Sequence, residues 1–257
     1  MKLIQRHGYI EFLRRNRERS IIKVVSGIRR CGKSTLFRLF KDELLAEGVK
    51  PEQIISINFE ELEYEPLREY HALYQYILNQ MQPNQMNYIF LDEIQHVDQF
   101  HRVVDSLFVK ENTDIYITGS NAYFMSSDIA TLLTGRYVEI QMLPLSFAEF
   151  YYSKYEEQQY SLIPAYEAYL RESSFPYTQQ LGGEDFDIQE YLRGLYNTLL
   201  LHDVVTRLKI NDVTILQDIV RYIMANVGSL LSPNKIAKSL VSAGRKIDNK
   251  TVERYLQ

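Results

Sequence analysis

The stretch Gly27-Ile28-Arg29-Arg30-Cys31-Gly32-Lys33-Ser34-Thr35 decides the fold of this chain. It follows the pattern G-x-x-x-x-G-K-[ST], in which a glycine-rich loop wraps around phosphate groups. An apolar run from Ile21 to Val25 precedes the loop and predicts a buried strand, and a helix is predicted from Ser34 to Glu47. Strand, glycine loop and helix is the order that this motif requires. The stretch therefore predicts an α/β domain that binds a nucleotide.

The residue types in the loop suit phosphate binding. Two glycines allow the backbone to curl so that several N–H groups point to one centre, at the positive end of a helix. Lys33 is expected to reach the β- and γ-phosphates, and the Ser34 hydroxyl is expected to ligate Mg²⁺. The residues predicted to contact the nucleotide are Gly27, Arg29, Arg30, Cys31, Gly32, Lys33, Ser34 and Thr35.

Three of these loop residues have a second interpretation. Arg29 and Arg30 either contact a phosphate or are exposed or paired with a carboxylate. Cys31 is interpreted as a small space-filling residue, although the helix N-terminus and the neighbouring lysine are expected to lower the pKa of its thiol.

Composition and charge exclude several classes of protein. The chain has 257 residues, is 46% hydrophobic and 24% charged, and has a formal net charge of −4, which is typical of an ordinary globular chain. Its single cysteine excludes an intramolecular disulfide framework and a cysteine-rich zinc site. No apolar run is long enough to span a membrane, and the N-terminus does not resemble a signal peptide. We therefore expect a cytoplasmic protein that does not associate with a membrane.

A second chemical landmark is the run Tyr88-Ile89-Phe90-Leu91-Asp92-Glu93. Its bulky apolar residues predict a buried parallel strand, which delivers two carboxylates at the sheet edge where ligands bind. We predict that Asp92 holds Mg²⁺ and that Glu93 activates the water that attacks the γ-phosphate. Considered alone, such a run is usually a plain strand end, but its position after the loop, with a strand and a helix between, favours the chemical role.

Polar residues near the later strands are further candidates. A strand predicted over residues 114–118 is followed by Ser120 and Asn121, which either contact the γ-phosphate or the attacking water or cap the next helix. Arg136 precedes a strand predicted over residues 137–142 and is expected at the ligand edge. It is interpreted as an arginine finger, acting in cis or on a neighbouring subunit of a homo-oligomer, or as a structural ion-pair residue.

The order of the elements predicts a parallel sheet followed by helices. Strands alternating with helices favour a P-loop α/β domain with flanking helices over residues 1–144. After residue 144 the pattern becomes helical, which predicts a helical domain over residues 145–228. Residues 229–257 predict a helix-turn-helix, with a proline after Ser232 at one helix start and Asp248 capping the last helix.

The helix-turn-helix suggests a second partner. From Lys235 onward the chain has six Lys and Arg and only two acidic residues. Three of the basic residues, Lys246, Lys250 and Arg254, recur every four residues. This spacing predicts one basic face on the last helix, which suits either contact with DNA phosphates or an ordinary surface helix. A winged helix would need a β-hairpin after the last helix, so we expect the chain to stop short of a complete one.

The segments "SGIRRCGKSTL", "YIFLDEIQHV", "YITGSNA" and "LLTGRYVEIQMLPLSFAEF" resemble the AAA+-like ATPases of the AAA_14 group, which are usually followed by a DUF4143 region. The resemblance covers about Ile4 to Phe150. It implies an AAA+-like fold, ATP with Mg²⁺ as ligands, and a second region that begins in the helical part. Family members continue into a nuclease-like module, whose function is not transferred to this chain.

The residues are compatible with two functions. The first is a Mg²⁺-dependent ATPase that couples hydrolysis to movement of the helical part or of a partner. The second is a slow nucleotide-gated switch that binds DNA or protein and turns over little. ATP is favoured over GTP because no guanine-reading N-K-x-D-like pattern is found.

Overall fold

The computed structural model describes residues 4–120, 133, 135–155, 160–181, 185–199, 205 and 212–256. The chain divides into two compact units, Met1–Ile188 and Gln189–Gln257. This division differs from the domain ends expected after residues 144 and 228. Two predicted helices lie wholly or partly outside the described residues. One is the helix predicted up to about Leu133, and the other is the last part of the long helix predicted over residues 188–208.

A five-stranded parallel sheet forms the centre of the first unit, in the order β2-β3-β4-β1-β5. β1 and β3 are buried along their whole length because the sheet is covered on both faces, which explains the bulky apolar residues that predominate in the middle of both strands. The strands are β1 (Ile22–Gly27), β2 (Ile54–Asn58), β3 (Asn87–Asp92), β4 (Thr113–Ser120) and β5 (Tyr137–Met142). The predicted α/β class is therefore confirmed.

Helices cover the sheet and continue into the second unit. Their bounds are α1 (His7–Asn16), α2 (Lys33–Ala46), α3 (Tyr70–Gln80), α4 (Phe100–Phe108), α5 (Phe147–Tyr155), α6 (Leu162–Glu172), α7 (Asp185–Asn197), α8 (Val213–Ala225), α9 (Pro233–Ser242) and α10 (Asn249–Leu256). The division between the two units falls within α7. Among helices built from described residues, none is long and apolar enough to cross a membrane.

Two helices begin later than their sequences predict. A proline at a helix start predicts a helix from about Pro66 to Met81, but residues 62–68 form 3₁₀ turns. Glu69 then caps α3, because its carboxylate accepts hydrogen bonds from two backbone N–H groups of the first turn. The sequence also predicts a helix from Val97 to Lys110, but α4 begins at Phe100, after a separate 3₁₀ turn, Ile94–His96.

Alternate residues of the strands pack into different layers. In β3, Ile89 and Leu91 belong to a cluster with α3 and α4, whereas Tyr88 and Phe90 belong to a cluster with α1 and α2. Side chains of a strand alternate between its faces, so the sheet lies between two layers of helices. This three-layer arrangement fixes the strand ends that carry the candidate site.

The second unit has its own core, built from α8, α9 and α10. The buried side chains are Leu216, Ile219, Ile236, Ala237, Leu240, Val252 and Tyr255. Asp248 caps α10, because its Oδ1 accepts a hydrogen bond from the N–H of Thr251 at 2.8 Å. α10 begins at Asn249, so Lys246 precedes the helix, and the prediction that it shares a helical face with Lys250 and Arg254 is wrong.

Candidate functional site

The loop and the acidic strand meet at the carboxyl edge of the sheet. β1 and β3 flank β4 and run parallel to it, so the end of β1 at Gly27 and the end of β3 at Asp92 lie at the same edge. Ligands of open α/β sheets bind outside this edge. The sheet order therefore brings the two sequence motifs together.

The glycine loop requires its two glycines for conformation and for space. Gly32, at the start of α2, has a φ of 107°, in the left-handed region that favours glycine. A Cβ atom on Gly27 would lie 2.4 Å from the carbonyl oxygen of Met142 and 2.9 Å from Cys31 Sγ. β1 and β5 therefore approach each other closely where the loop begins.

Lys33 lies inside the loop and contacts Glu93 across the site. Its Nζ donates to the carbonyl oxygens of Gly27 and Ile28 at 3.2 and 3.4 Å. The same Nζ lies 3.1 Å from Glu93 Oε1, and the two side chains are only 3% and 10% exposed. The loop lysine and the second carboxylate of the acidic strand thus form a buried ion pair.

Asp92 is a buried carboxylate that accepts hydrogen bonds from two hydroxyl groups. Ser34, the first residue after the loop lysine, bonds to it from one side, and the Thr118 hydroxyl donates to its Oδ1 from β4. Burial raises the pKa of Asp92 above its ordinary value of 3.8 and outweighs the two hydroxyl donors, which act in the opposite direction. Asp92 is therefore easier to protonate than an exposed aspartate.

Thr118 is a site residue that sequence reasoning did not identify. Its hydroxyl donates to Asp92 and accepts the backbone N–H of Glu93 at 2.9 Å, and the side chain is fully buried. It follows Ile117, which pairs with Leu91 in the register of β3 and β4. The signal for this role was the polar residue inside a buried strand, but only the strand register shows which residue it faces.

The remaining predicted nucleotide contacts take different positions. Arg29 forms an ion pair with Glu60, with Nη2 and Oε1 2.6 Å apart, and Arg30 is exposed in a left-handed conformation. Thr35 is half-buried in the first turn of α2. The backbone of Ser120 pairs with Gly27 at the ligand edge. The side chain of Ser120 and all of Asn121 lie outside the described residues.

The prediction that the Cys31 thiol has a lowered pKa is wrong. Cys31 is completely buried, and this burial raises the pKa of its thiol in spite of the nearby charges of Lys33 and Arg6. The interpretation of Cys31 as a space-filling residue agrees with its place in the core beside α1 and α2.

The prediction that Arg136 lies at the ligand edge is also wrong. β5 runs parallel to β1, and Arg136 accepts a hydrogen bond from the N–H of Ile22, the first residue of β1, at 2.9 Å. The phosphate loop leaves from the other end of β1, roughly 17–20 Å away for strands of this length. The guanidinium of Arg136 lies over the ring of Phe108 instead. An arginine finger acting in cis is therefore excluded, whereas action on a neighbouring subunit stays a prediction.

A cavity of about 830 Å³ lies beside the loop. Its wall includes Gly32 and Thr35 of the loop, the segment before α1, and residues of α5 and of the 3₁₀ turn Pro176–Gln180. The volume lies within the usual range for small-molecule sites. This cavity did not follow from the sequence because the elements that form its walls are distant in the chain.

Arg6 ties these walls together and was not predicted. Its buried guanidinium donates to the carbonyl oxygens of Cys31 and Leu143 at 3.3 and 2.9 Å. Its Nε donates to Glu149 Oε1 at 2.6 Å, and Glu149 also binds the backbone N–H of Ser146 at the start of α5. The phosphate loop, the end of β5 and α5 are therefore joined through one side chain.

The donor set at the edge fits Mg²⁺. A carboxylate and a hydroxyl are hard oxygen ligands, and Mg²⁺ is commonly held by one or two protein oxygens together with substrate phosphates. Asp92 and Ser34 supply these groups side by side. Within the described residues, no cluster of three or more His, Cys, Asp or Glu forms a metal cage.

Comparison with known proteins agrees with this geometry. Residues 19–151 match the AAA_14 family, described as an AAA domain. Residues 163–257 match a domain of unknown function, DUF8612, and not the DUF4143 region that the resemblance implied.

Two curated relatives extend beyond the matched region. An uncharacterised protein of Haemophilus influenzae is 37% identical over 99% of this chain and 64% of its own length. The uncharacterised protein MJ1544 of Methanocaldococcus jannaschii is 32% identical over 92% of this chain and 54% of its own length. This chain thus spans between half and two thirds of the length of these relatives.

A solved structure shares the fold. The Walker-type ATPase paby2304 of Pyrococcus abyssi superposes with a TM-score of 0.63 at 18% identity, over 99% of this chain and 88% of that one. At this identity the similarity concerns the fold alone, and it confirms the predicted AAA+-like P-loop fold. Because the AAA domain matches more than half of its residues, the chain belongs to the AAA_14 family.

Proposed function

We propose that this chain binds ATP with Mg²⁺ and hydrolyses the γ-phosphate. The observation that carries the proposal is the contact between the loop and the acidic strand, where Lys33 Nζ lies 3.1 Å from Glu93 Oε1 and Ser34 bonds to Asp92. A phosphate-binding cation, a pair of oxygen ligands and a carboxylate base are thereby gathered at one sheet edge. These are the groups that phosphoryl transfer to water requires.

The residues divide the chemical work. The loop N–H groups and Lys33 bind the β- and γ-phosphates, and Asp92 and Ser34 hold the cation. When bound, Mg²⁺ neutralises negative charge on the phosphate oxygens. Glu93 accepts a proton from the attacking water as the new P–O bond forms and the bond to ADP breaks, which yields ADP and phosphate. Thr118 holds the carboxylate of Asp92 and the backbone N–H of Glu93 by its two hydrogen bonds.

The cavity beside the loop is assigned to the nucleoside part of ATP. It adjoins Gly32 and Thr35, and much of its wall comes from apolar side chains of α2, β5 and the segment around Leu145. A base and ribose need such a concave, largely apolar site with a few polar groups. Ser120 or Asn121 is proposed to sense the γ-phosphate, and the other residue to cap the next helix. Arg136 is proposed to act on a neighbouring subunit if the chain forms a homo-oligomer.

Binding is tested with variants on a single helix. Lys33→Ala removes the main charged contact to the phosphates, so ATP affinity should fall at least tenfold in a titration with a fluorescent ATP analogue. Arg38→Ala, on the exposed face of the same helix, is the matched control and should bind as the wild type does. Equal affinity of Lys33→Ala and wild type would contradict the proposed site.

A nucleotide-gated switch that binds DNA is the second candidate function. The basic surface of α9, α10 and the connection between them favours it, because their Lys and Arg side chains are exposed while their apolar residues form the core. The exposed basic residues are Lys235, Lys238, Arg245, Lys246, Lys250 and Arg254. Arg245 is paired with Asp218 at 2.6 Å, so the other five are the stronger candidates for phosphate contacts.

Salt dependence tests the DNA contact. Replacing Lys246, Lys250 and Arg254 with Gln should make the negative slope of log affinity against log salt shallower by up to about three. The reason is that each phosphate contact releases about one counterion from DNA, and the variant makes fewer such contacts. Replacing Arg15, Arg38 and Lys50, which are exposed in the first unit, changes the charge equally and serves as the control. An unchanged slope, or no binding at low salt, excludes this surface. An ATP turnover rate that rises when DNA is added would favour the ATPase that couples hydrolysis to movement over the slow switch.

A further inference from the structure

The side chain of Gln95 is bound to the carboxylate of Glu93. Its Nε2 donates a hydrogen bond to Glu93 Oε2 at 2.6 Å. The other carboxylate oxygen, Oε1, lies 3.1 Å from Lys33 Nζ. The two oxygens of Glu93 are therefore held by two different groups, one charged and one neutral.

The backbone turn after β3 explains how a residue two positions away reaches Glu93. Glu93 has a left-handed conformation, with φ 55° and ψ 47°, and the chain continues into the 3₁₀ turn Ile94–His96. The N–H of His96 bonds to the carbonyl oxygen of Glu93 at 3.2 Å and closes this turn. Ile94 is buried in the core, which anchors the turn to the sheet. Gln95 is thus carried on a fixed segment and not on a free loop.

The amide of Gln95 has one bonded end and one unsatisfied end. Among the described residues, its buried Oε1 has no hydrogen-bond partner. Leaving a buried acceptor unpaired is costly, because the group has lost its hydrogen bonds to water. Turning the amide over would place this oxygen against the Glu93 carboxylate, so the bond from Nε2 decides the orientation. A polar group retained at such a cost beside a reacting carboxylate calls for a functional explanation.

We propose that Gln95 is the positioning residue that keeps Glu93 in place during hydrolysis. The proposal rests on the proposed function, in which phosphates draw the ammonium group of Lys33 to themselves. Glu93 then loses its charged contact at the moment when its position matters. The amide of Gln95 carries no net charge, so the phosphates do not compete for it as they do for Lys33. Its bond to Oε2 leaves Oε1 available to accept the proton of the attacking water.

The test compares turnover with binding. Gln95→Met keeps the length and approximate volume of the side chain and removes the N–H donor. Its kcat should fall roughly 10- to 100-fold, part of the 10²–10⁴-fold that a placed general base contributes. ATP affinity should stay within about twofold, since the phosphate contacts of Lys33 are unchanged. His96→Ala changes the exposed neighbour in the same turn and should keep wild-type turnover.

A double variant separates positioning from a structural role. Single-turnover hydrolysis is measured for Glu93→Gln alone and combined with Gln95→Met. A residue that acts through Glu93 has nothing left to position, so the second substitution should change the residual rate by less than about twofold. Wild-type kcat in Gln95→Met, or an equal fold loss in both backgrounds, overturns the proposal. Wild-type turnover in Glu93→Gln overturns the role of Glu93 and this role of Gln95 with it.

A second variant covers the case in which Gln95→Met does not fold. Gln95→Glu has the same shape but places a carboxylate, which cannot donate a hydrogen bond, against Oε2 of Glu93. Its kcat should therefore fall by at least as much as is expected for Gln95→Met, while ATP affinity stays within about twofold. Wild-type kcat in Gln95→Glu would overturn the proposal.

Discussion

Lys33 Nζ lies 3.1 Å from Glu93 Oε1, and both side chains are almost entirely buried. The group that should bind phosphate and the group that should activate water therefore neutralise each other. Removing one partner of a buried pair leaves an uncompensated charge, which is costly in a site of low dielectric. This pair predicts a coupled effect on stability.

The coupling is tested with neutral substitutions of similar shape. Lys33→Met should lower the free energy of unfolding by about 3 kcal/mol, near the low end for buried pairs because Gln95 still binds Glu93. Adding Glu93→Gln should restore most of this loss, since no charge then remains unpaired. Urea unfolding of the wild type, the two single variants and the double variant measures the coupling. Strictly additive losses would show that the two side chains do not interact.

Asp92 predicts a pH-dependent stability. Burial raises the pKa of Asp92 in the folded chain above the ordinary 3.8. As the pH rises, the unfolded chain therefore loses this proton before the folded chain does. The stabilising contribution is complete below pH 3.8 and is lost as the pH rises through the raised pKa.

Asp92→Asn replaces the carboxyl group with an amide that does not titrate, so the variant does not lose stability as the pH rises through the pKa of Asp92. The variant should therefore gain stability relative to wild type between acidic and neutral pH, in the absence of nucleotide and Mg²⁺. Thermal unfolding at a series of pH values measures the difference, and Asp98→Asn, at an exposed carboxylate nearby, is the control. A difference between Asp92→Asn and wild type that does not change with pH would contradict the assignment. The same variant should lose Mg²⁺-dependent ATP binding.

Gly27 predicts a steric effect on the loop. An added Cβ would lie 2.4 Å from the carbonyl oxygen of Met142, a backbone atom held by the pairing of β1 with β5. Gly27→Ala should cost about 1–3 kcal/mol through overpacking and should abolish ATP binding.

Gly194 offers a matched control for this substitution. It is exposed in α7, and an added Cβ would meet no atom within 4 Å. Gly194→Ala should therefore leave ATP binding unchanged and stabilise the helix by about 0.5–1 kcal/mol. Equal stability and binding in Gly27→Ala and wild type would mean that the loop has more room than its contacts with Met142 indicate.

The sequence predicted those features that local patterns encode. The glycine loop, the apolar strand before Asp92 and the helix caps are each set by a few adjacent residues, so their positions could be read directly. The sheet order places Lys33 and Glu93 together, as the two motifs predicted. The start of α3 was predicted too early because Pro66 lies in a 3₁₀ segment and the side chain of Glu69 caps the helix three residues later.

Features that depend on strand direction or on distant contacts could not be predicted. Arg136 was placed at the wrong edge because its position before β5 was considered without the parallel direction of that strand. The role of Thr118 depends on the register of β3 and β4, and that of Arg6 depends on contacts with residues more than a hundred positions away. The raised pKa of Cys31 follows from burial, which the charges around the loop do not reveal.

The central claim is that Glu93 is the base of an ATPase, and one paired measurement tests it most directly. ATP binding and ATP hydrolysis are measured side by side, with Mg²⁺, for wild type and Glu93→Gln. The amide still fills the site but cannot accept a proton, so Glu93→Gln should bind ATP as tightly as wild type and hydrolyse it at least about 100-fold more slowly. Hydrolysis by Glu93→Gln at the wild-type rate, with equal binding, would contradict the account.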